Sequence, residues 1–209
     1  MRLSLVLASG SPARLRLLRT AGVEPTVLPS RVDEDAVARA ARVERGGLTA
    51  ADEALLLARE KAEAVAPQVE DMVVLGCDSV LELDGTAFGK PAGPTDAAHR
   101  WRLMRGRSGV LHTGHWLIDR RSADSPSHGA VASTTVHFAD VTDAEIDAYV
   151  ATGEPLDVAG AFTIDGLGAA FVERIDGDPS NVVGLSLPLL RRLLADIGVM
   201  WTDLWSPES

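Results

Sequence analysis

The sequence predicts an α/β protein. Two observations carry that reading. Short apolar stretches of strand length alternate with amphipathic stretches of helix length along nearly the whole chain. Between them stand Gly, Pro, Asp and Ser at positions that start and stop elements, with no internal repeat and no low-complexity segment.

The elements follow in order. Leu3 to Ala8 reads as a strand, and Ser11 caps a helix over 12–21, with Pro12 at its first position and Gly22 beyond its end. A short strand lies near 26–28. The polar, alanine-rich stretch "VDEDAVARAARVERGGLTA" reads as loop with some helix. Thr49 and Asp52 form a capping-box pattern that opens a strong helix through Ala66. "MVVLGCDSVLELDGTAFGK" reads as two strands reversed at Asp84-Gly85, a favoured hairpin dipeptide. A helix over 95–104, a strand over 109–119 and an exposed loop, "RRSADSPSHGA", come next. The strand over 131–141 precedes a capped helix, "TDAEIDAYVATG", that ends before Gly153. After a glycine-rich stretch come a strand over 169–175 and a final helix over 188–197.

The totals describe an ordinary water-exposed globular chain: 209 residues, 46% hydrophobic and 24% charged. That length forms one large domain, or two lobes sharing a core. No apolar run approaches the roughly 18 residues that cross a bilayer. "MRLSLVLASGS" mimics a signal peptide, but its apolar core is too short, so it is read as a strand and the protein as cytoplasmic. The single cysteine, Cys77, fits a reducing compartment. Thirty acidic residues against 20 basic ones, net −10, argue against a nucleic-acid partner, which needs a basic face. A small polyanion held by a local cluster of cations stays compatible with that balance.

Several motifs could carry chemistry. "SGSP" before a helix is a reasonable anion site, since small residues let backbone N–H groups approach a phosphate at the helix start. It is equally an ordinary cap. Arg14, Arg16 and Arg19 make that helix basic where its dipole prefers anions, and one helix face cannot aim all three at one ligand. "DGTAFGKP" is not a phosphate-binding P-loop: Gly85 and Gly89 enclose three residues, and Pro91 stands where a hydroxyl is needed. Asp78 lies in an apolar strand, where a carboxylate is costly unless paired, protonated or metal-bound. It shares a face with Gly76, read as leaving open space beside it, and Val80, while Cys77 points to the other side as a small buried hydrophobe. The alternative is a structural Asp78 paired to an arginine. His112 and His115, three apart on a strand, face opposite ways and are no metal pair; Trp201 and Trp205 read as a packing stripe.

Taken together, "LVLASGSP", "VDED", "REKAEAVA", "LGCDSVLELDGTAFGKP", "MRGRSGVLHTG" and "DAEIDAYVATGEPLDVAGAFTIDGLGAAFVERIDGDPSNVVGLSLP" resemble the Maf family, also called septum-formation-inhibitor-like proteins. "AGAFTIDGLG" and "GDPSNVVGLSLPLLR" are similar to its actinobacterial branch. The resemblance implies one domain over residues 1–209, with an elongated, curved mixed sheet, flanking helices and a cleft between two lobes, related to inosine triphosphatase-like enzymes. It implies cleavage of nucleoside triphosphates between the α and β phosphates with a divalent cation, Mg²⁺ or Mn²⁺, and a homodimer. By motif, Asp78 matches the proton acceptor and a metal ligand, with Glu34 as second oxygen ligand, while Ser9, Arg14, Lys61 and Lys90 match positions lining the cleft. Lys61 lies on the apolar side of its helix, where a lysine without an anionic partner is costly.

Departures from the family pattern are Ala13 for an arginine, Val158 for a lysine, and Asp165 where a glutamine often reads a pyrimidine. An ionised carboxylate only accepts hydrogen bonds, which suits guanine or the cytosine amine and disfavours uracil and thymine. Alternatively, Asp165 faces solvent or a backbone amide. Besides the pyrophosphatase, a nucleotide-binding regulator of division or septation with little turnover fits the missing cations; a third alternative is an α/β interaction protein with Asp78 merely salt-bridged.

Overall fold

The computed structural model of the chain describes residues 3–122, 124 and 126–205. Met1 and Arg2 of the signal-like stretch, and Ala123 and Ser125 of the loop expected after Asp119, lie outside them. In chain order the elements are β1 (Leu5–Leu7), α1 (Pro12–Thr20), β2 (Thr26–Val27), α2 (Glu34–Arg45), α3 (Ala50–Val65), β3 (Val73–Leu83) and β4 (Thr86–Phe88). Then come α4 (Pro94–Met104), β5 (Ser108–Asp119), β6 (Ser127–Phe138), α5 (Asp143–Ala151), β7 (Val172–Asp176), α6 (Pro179–Val183) and α7 (Leu187–Asp196). The α/β class is as the alternation predicts.

Among the described residues one mixed sheet runs β2-β1-β3-β5-β6-β7, with β4 added beside β3. β1 pairs in parallel with β2 and β3, while β3, β5, β6 and β7 are successively antiparallel. The long strand β3 organises everything else. Along one edge β5 pairs with it from Val73 to Glu82. The other edge is shared: β1 takes Val73–Leu75, and β4 takes Leu81–Leu83. Residues 76–80 therefore have no strand partner on that side, and Asp78 is at the middle of the gap.

One face of β3 buries two cores in succession along the strand. Leu5, Leu7, Leu75 and Cys77 pack with Leu18 of α1 and Leu190 and Leu194 of α7. Further along, Leu81 and Leu111 join Trp101, Phe138, Tyr149 and Phe162. Trp101 meets Phe138 and Tyr149 edge-to-face at 5.7 and 5.5 Å, and its indole N–H donates to the Ala161 carbonyl at 2.7 Å. The third packing surface is α3, lying on the face shared by Gly76, Asp78 and Val80.

Here the structure corrects one expectation. The side-chain-free space at Gly76 is not open. A Cβ there would come within 2.0 Å of the Ala58 carbonyl oxygen, and one at Gly114, Asp78's neighbour in the β5 register, within 2.2 Å of the Ala54 carbonyl oxygen. Both missing side chains are filled by the backbone of α3, which for that reason lies directly against the sheet.

Other differences concern local elements. The stretch read as loop with some helix is a full helix, α2. Asp33 caps it, Glu34 and Asp35 occupy its first turn, Arg42 and Arg45 its last, and Gly46 ends it in the left-handed region. Only Ala38 and Ala41 are buried on it, so the usual large-residue periodicity of a packed helix is missing. β6 spans Ser127–Phe138 rather than 131–141, and Leu167–Phe171 is a 3₁₀ turn that delays β7 to Val172. At Asp84-Gly85 both residues have positive φ, 51° and 76°, as the hairpin reading requires. Trp201 packs on the core with α7, whereas Trp205 is half exposed and lies over Gly22.

Because α3 rests on two glycines, Gly76→Ala is expected to force helix and sheet apart and to cost about 3 kcal/mol. Urea unfolding of the variant should show that loss as a lowered midpoint with an unchanged slope.

Candidate active site

Asp78 is 7% exposed and points from the gap in β3 toward α3. About two turns along α3 from the Ala54 contact with Gly114, Lys61 stands over Asp78. The close approach of α3 makes the reach short: Lys61 Nζ donates to Asp78 Oδ1 at 2.5 Å. The same ammonium lies 2.7 Å from Glu34 Oε1, in the first turn of α2. The Lys61 side chain is 8% exposed and that of Glu34 42%. Three residues predicted for the site are thus joined by one nitrogen atom. The anionic partners that a buried Lys61 requires are the two site carboxylates themselves. The cap on Asp78 is a lysine and not an arginine.

Arg14 approaches from the opposite face of the strand. It is buried, and four of its N–H groups are engaged. Nε donates to the Gly184 carbonyl at 2.7 Å, and one terminal nitrogen donates to Ser9 Oγ and the Cys77 carbonyl, both at 2.9 Å. The other donates to Ser79 Oγ at 3.1 Å. Since Cys77 and Ser79 flank Asp78, Arg14 fixes the open edge on both sides of the acid. Ser79 continues to Thr113 Oγ1 at 2.9 Å, and Thr113 donates to the Asn181 carbonyl at 3.2 Å. Thr113's single proton is spent on that carbonyl, so the chain of donors runs from Arg14 through Ser79 to Thr113.

The expected basic helix start divides accordingly. Arg14 alone turns inward; Arg16 pairs with Asp165 at 3.1 Å and Arg19 with Glu24 at 2.7 Å, both exposed. Asp165 is exposed to solvent and pairs there with a guanidinium of α1. Lys90 is exposed just past β4, and its backbone carbonyl accepts from Arg100. Among the described residues the ion pair made by Asp78 is with Lys61 and not with Lys90. His112 and His115 do face apart: His115 is buried between the Thr113 carbonyl and the Ser186 N–H, and His112 contacts Ser133.

Burial pushes the Asp78 carboxyl above its ordinary range; Lys61 and Arg14 pull it back, and Glu34 pushes with burial. Burial also raises the Cys77 thiol to about 12, which makes it inert as a nucleophile. For a divalent cation the donor set is two carboxylates that already converge on one cationic atom. Among the described residues no cluster of three or more His, Cys, Asp or Glu forms such a site. Two acids suit Mg²⁺ or Mn²⁺ held partly by phosphate oxygens and water, so the residues fit.

The class of protein is one with a mixed α/β sheet whose split edge holds a buried carboxylate, with a lysine and an arginine on its two faces. The chain belongs to the Maf family: the family model described as "Maf-like protein" matches residues 4–197. It is 60% identical over 210 residues to a protein of Salinispora tropica named nucleoside triphosphate pyrophosphatase, covering 98% of this chain and 88% of that one. Proteins of the same name from Leifsonia xyli subsp. xyli and Streptomyces coelicolor are 56% and 57% identical over 207 and 208 residues. These alignments cover 97% and 99% of this chain and 96% of each relative.

Sequence reasoning missed the residue that shapes the Asp165 turn. Glu154 accepts from Thr163 Oγ1 at 2.6 Å, the Leu167 and Gly168 N–H groups at 2.9 Å and the Tyr149 hydroxyl at 3.0 Å. Two of these partners are backbone N–H groups 13 and 14 residues away and two are side-chain hydroxyls nine and five residues away, a set that no local spacing reveals. Burial alone would raise its carboxyl, but these four donors outweigh burial and hold it at about 2. A carboxyl lowered on folding stabilises above its unfolded pKa, and that contribution disappears as pH falls through the folded value. Thermal melts from pH 6 to pH 2 should therefore show Glu154→Gln less stable than the parent at pH 6, with the difference shrinking from about pH 4.5 downward.

Proposed function

We propose that this chain is a nucleoside triphosphate pyrophosphatase that hydrolyses the α–β phosphate anhydride, giving nucleoside monophosphate and pyrophosphate and clearing the nucleotide pool of unwanted triphosphates. The observation that carries this reading is the convergence of Asp78 and Glu34 on one cation in the unpaired edge of β3. Relatives at 50–60% identity bear the same enzyme name.

A water attacks the α phosphorus in line with the bond to the bridging oxygen. That bond breaks as the new P–O bond forms, and pyrophosphate leaves with its electron pair. Asp78 takes the proton of the attacking water, a role favoured by its raised pKa. Lys61 and Lys90 balance negative charge on the departing pyrophosphate, where preorganised cations matter most. Arg14 adds positive charge behind the strand and, with Ser9 bonded to it, holds the first loop against the phosphates. Bound Mg²⁺ or Mn²⁺, held by Asp78 and Glu34, supplies Lewis-acid polarisation of the phosphate oxygens.

Asp165 reads the base. Its turn is braced by Glu154, and its carboxylate, now paired with Arg16, offers acceptors to guanine or to the cytosine amine. The same reading includes a single two-lobed domain, a homodimer, a cytoplasmic place of action, and no nucleic-acid or membrane partner. No helix among the described residues is long and apolar enough to cross a membrane.

A panel of UTP, dTTP, CTP, GTP and 7-methyl-GTP, with Mg²⁺ and products separated, tests the reading. Monophosphate and pyrophosphate are the expected products, with turnover on the guanine or cytosine substrates above that on UTP and dTTP. Orthophosphate release would move the cleavage point, and a dTTP or UTP preference would remove the Asp165 assignment. Asp78→Asn should lose about 10²- to 10⁴-fold in rate while its melting transition stays cooperative. Thermal stabilisation by nucleotide without turnover would support the regulator instead.

A further inference from the structure

We infer that the Lys61 ammonium is the resident cation of this site, closing Asp78 and Glu34 against free divalent metal so that metal enters only as its nucleotide complex. The inference rests on the pyrophosphatase reading for the identity of the ligand, and on the following geometry for its mechanism.

Lys61 Nζ stands 2.5 Å from one carboxylate oxygen and 2.7 Å from the other. A Mg²⁺ ion takes carboxylate oxygens at about 2.1 Å. It would have to occupy nearly the volume that the nitrogen fills, so ion and ammonium exclude one another. The backbone under Lys61 cannot withdraw, because α3 is seated on Gly76 and Gly114. What can change is the lysine rotamer, together with Glu34. Glu34 is the looser carboxylate, on a helix that buries only Ala38 and Ala41. Besides the Lys61 contact, α2 is tied to α3 by Arg42 and Glu53 at 2.5 Å, and it ends at Gly46 and Gly47, around which a Cβ would meet nothing within 4 Å.

Charge decides the order of events. Asp78 and Glu34 are matched by Lys61 and Arg14, so the four formal charges sum to zero and offer a bare dication little attraction. A metal–triphosphate complex is still negative. It brings phosphate oxygens for the Lys61 ammonium, which exchanges its carboxylates for them and frees both carboxylates for the metal. Two of the three Lys61 N–H groups change partners in that exchange, and neither of the two is left unbonded.

Calorimetric titration with Mn²⁺, alone and with an α,β-methylene nucleoside triphosphate from the panel that cannot be cleaved, tests this in the unmodified protein. Mn²⁺ alone is expected to bind at least tenfold more weakly than with the analogue; equal affinity overturns the inference. Lys61→Met and Lys61→Gln should each bind Mn²⁺ alone at least tenfold more tightly than the parent, and Mn²⁺ should raise their melting temperatures more than the parent's. Adding Glu34→Gln should abolish that gain, which locates it at this pair. A folded Lys61 variant with no gain overturns the inference, and if both variants fail to fold, the unmodified protein alone decides. Failure of the pyrophosphatase reading shows separately, as absent pyrophosphate release and absent analogue binding, and leaves the Mn²⁺-only comparison intact.

Discussion

A carboxylate in the interior strand of a sheet stays charged only if cations are brought to it, and the architecture around β3 is arranged to bring them. Desolvation of Asp78 is the largest influence on its proton affinity, larger than the attraction of Lys61 or Arg14. One cation close by is therefore not enough to restore an ordinary acid. The result is a carboxyl with raised basicity beside a concentrated positive field. That combination suits proton acceptance from water and is poorly suited to a purely structural ion pair, whose acid would be held low.

The constraint propagates outward through two glycines. Gly76 and Gly114 let α3 touch the sheet, so a lysine on that helix spans the distance to Asp78 without leaving the interior. At the edge of β3 away from β5, the end of β1 at Leu7 and the short reach of β4 leave Gly76 to Val80 without a strand partner. Backbone groups along such an edge need partners. Arg14 satisfies the Cys77 carbonyl and is itself anchored at Gly184, where the left-handed φ of 118° turns the chain between α6 and α7. The gap in the sheet's pairing and the position of the site are the same feature.

How much of this the sequence discloses depends on whether a feature is local. An acid amid Val73 to Leu83 stands out, and alternation correctly assigned its face and that of Cys77. The Asp84-Gly85 hairpin and the caps at Ser11, Thr49 and Thr142 also follow from neighbouring residues. Gly76 was legible as a missing side chain, but what fills the space is a backbone eighteen residues upstream, so its meaning was inverted. α2 escaped because two buried alanines leave almost no apolar periodicity. Ser79, Thr113 and Glu154 escaped because their partners come from distant segments, and a polar residue alone carries no sign of them. Joining Lys61 and Glu34 to Asp78 required the family resemblance.

The cations around Asp78 are chemically divided in a way that matches what each must do. Arg14 presents a planar fork, and with four donors fixed to Ser9, Cys77, Ser79 and Gly184 it cannot follow a ligand. It supplies standing charge and rigidity. Lys61 is a point charge on a flexible stem, and its bonds to Asp78 and Glu34 are to carboxylates that a metal also seeks. Exchanging the two residues would give a movable anchor and an immovable counter-ion. An arginine at position 61 would chelate Asp78 through two parallel bonds and keep a metal out even with nucleotide present. A lysine at position 14 could not reach four acceptors on three different segments. The net charge of −10 then has a local meaning: anions dominate the surface, and the few cations turned inward are each committed to one strand.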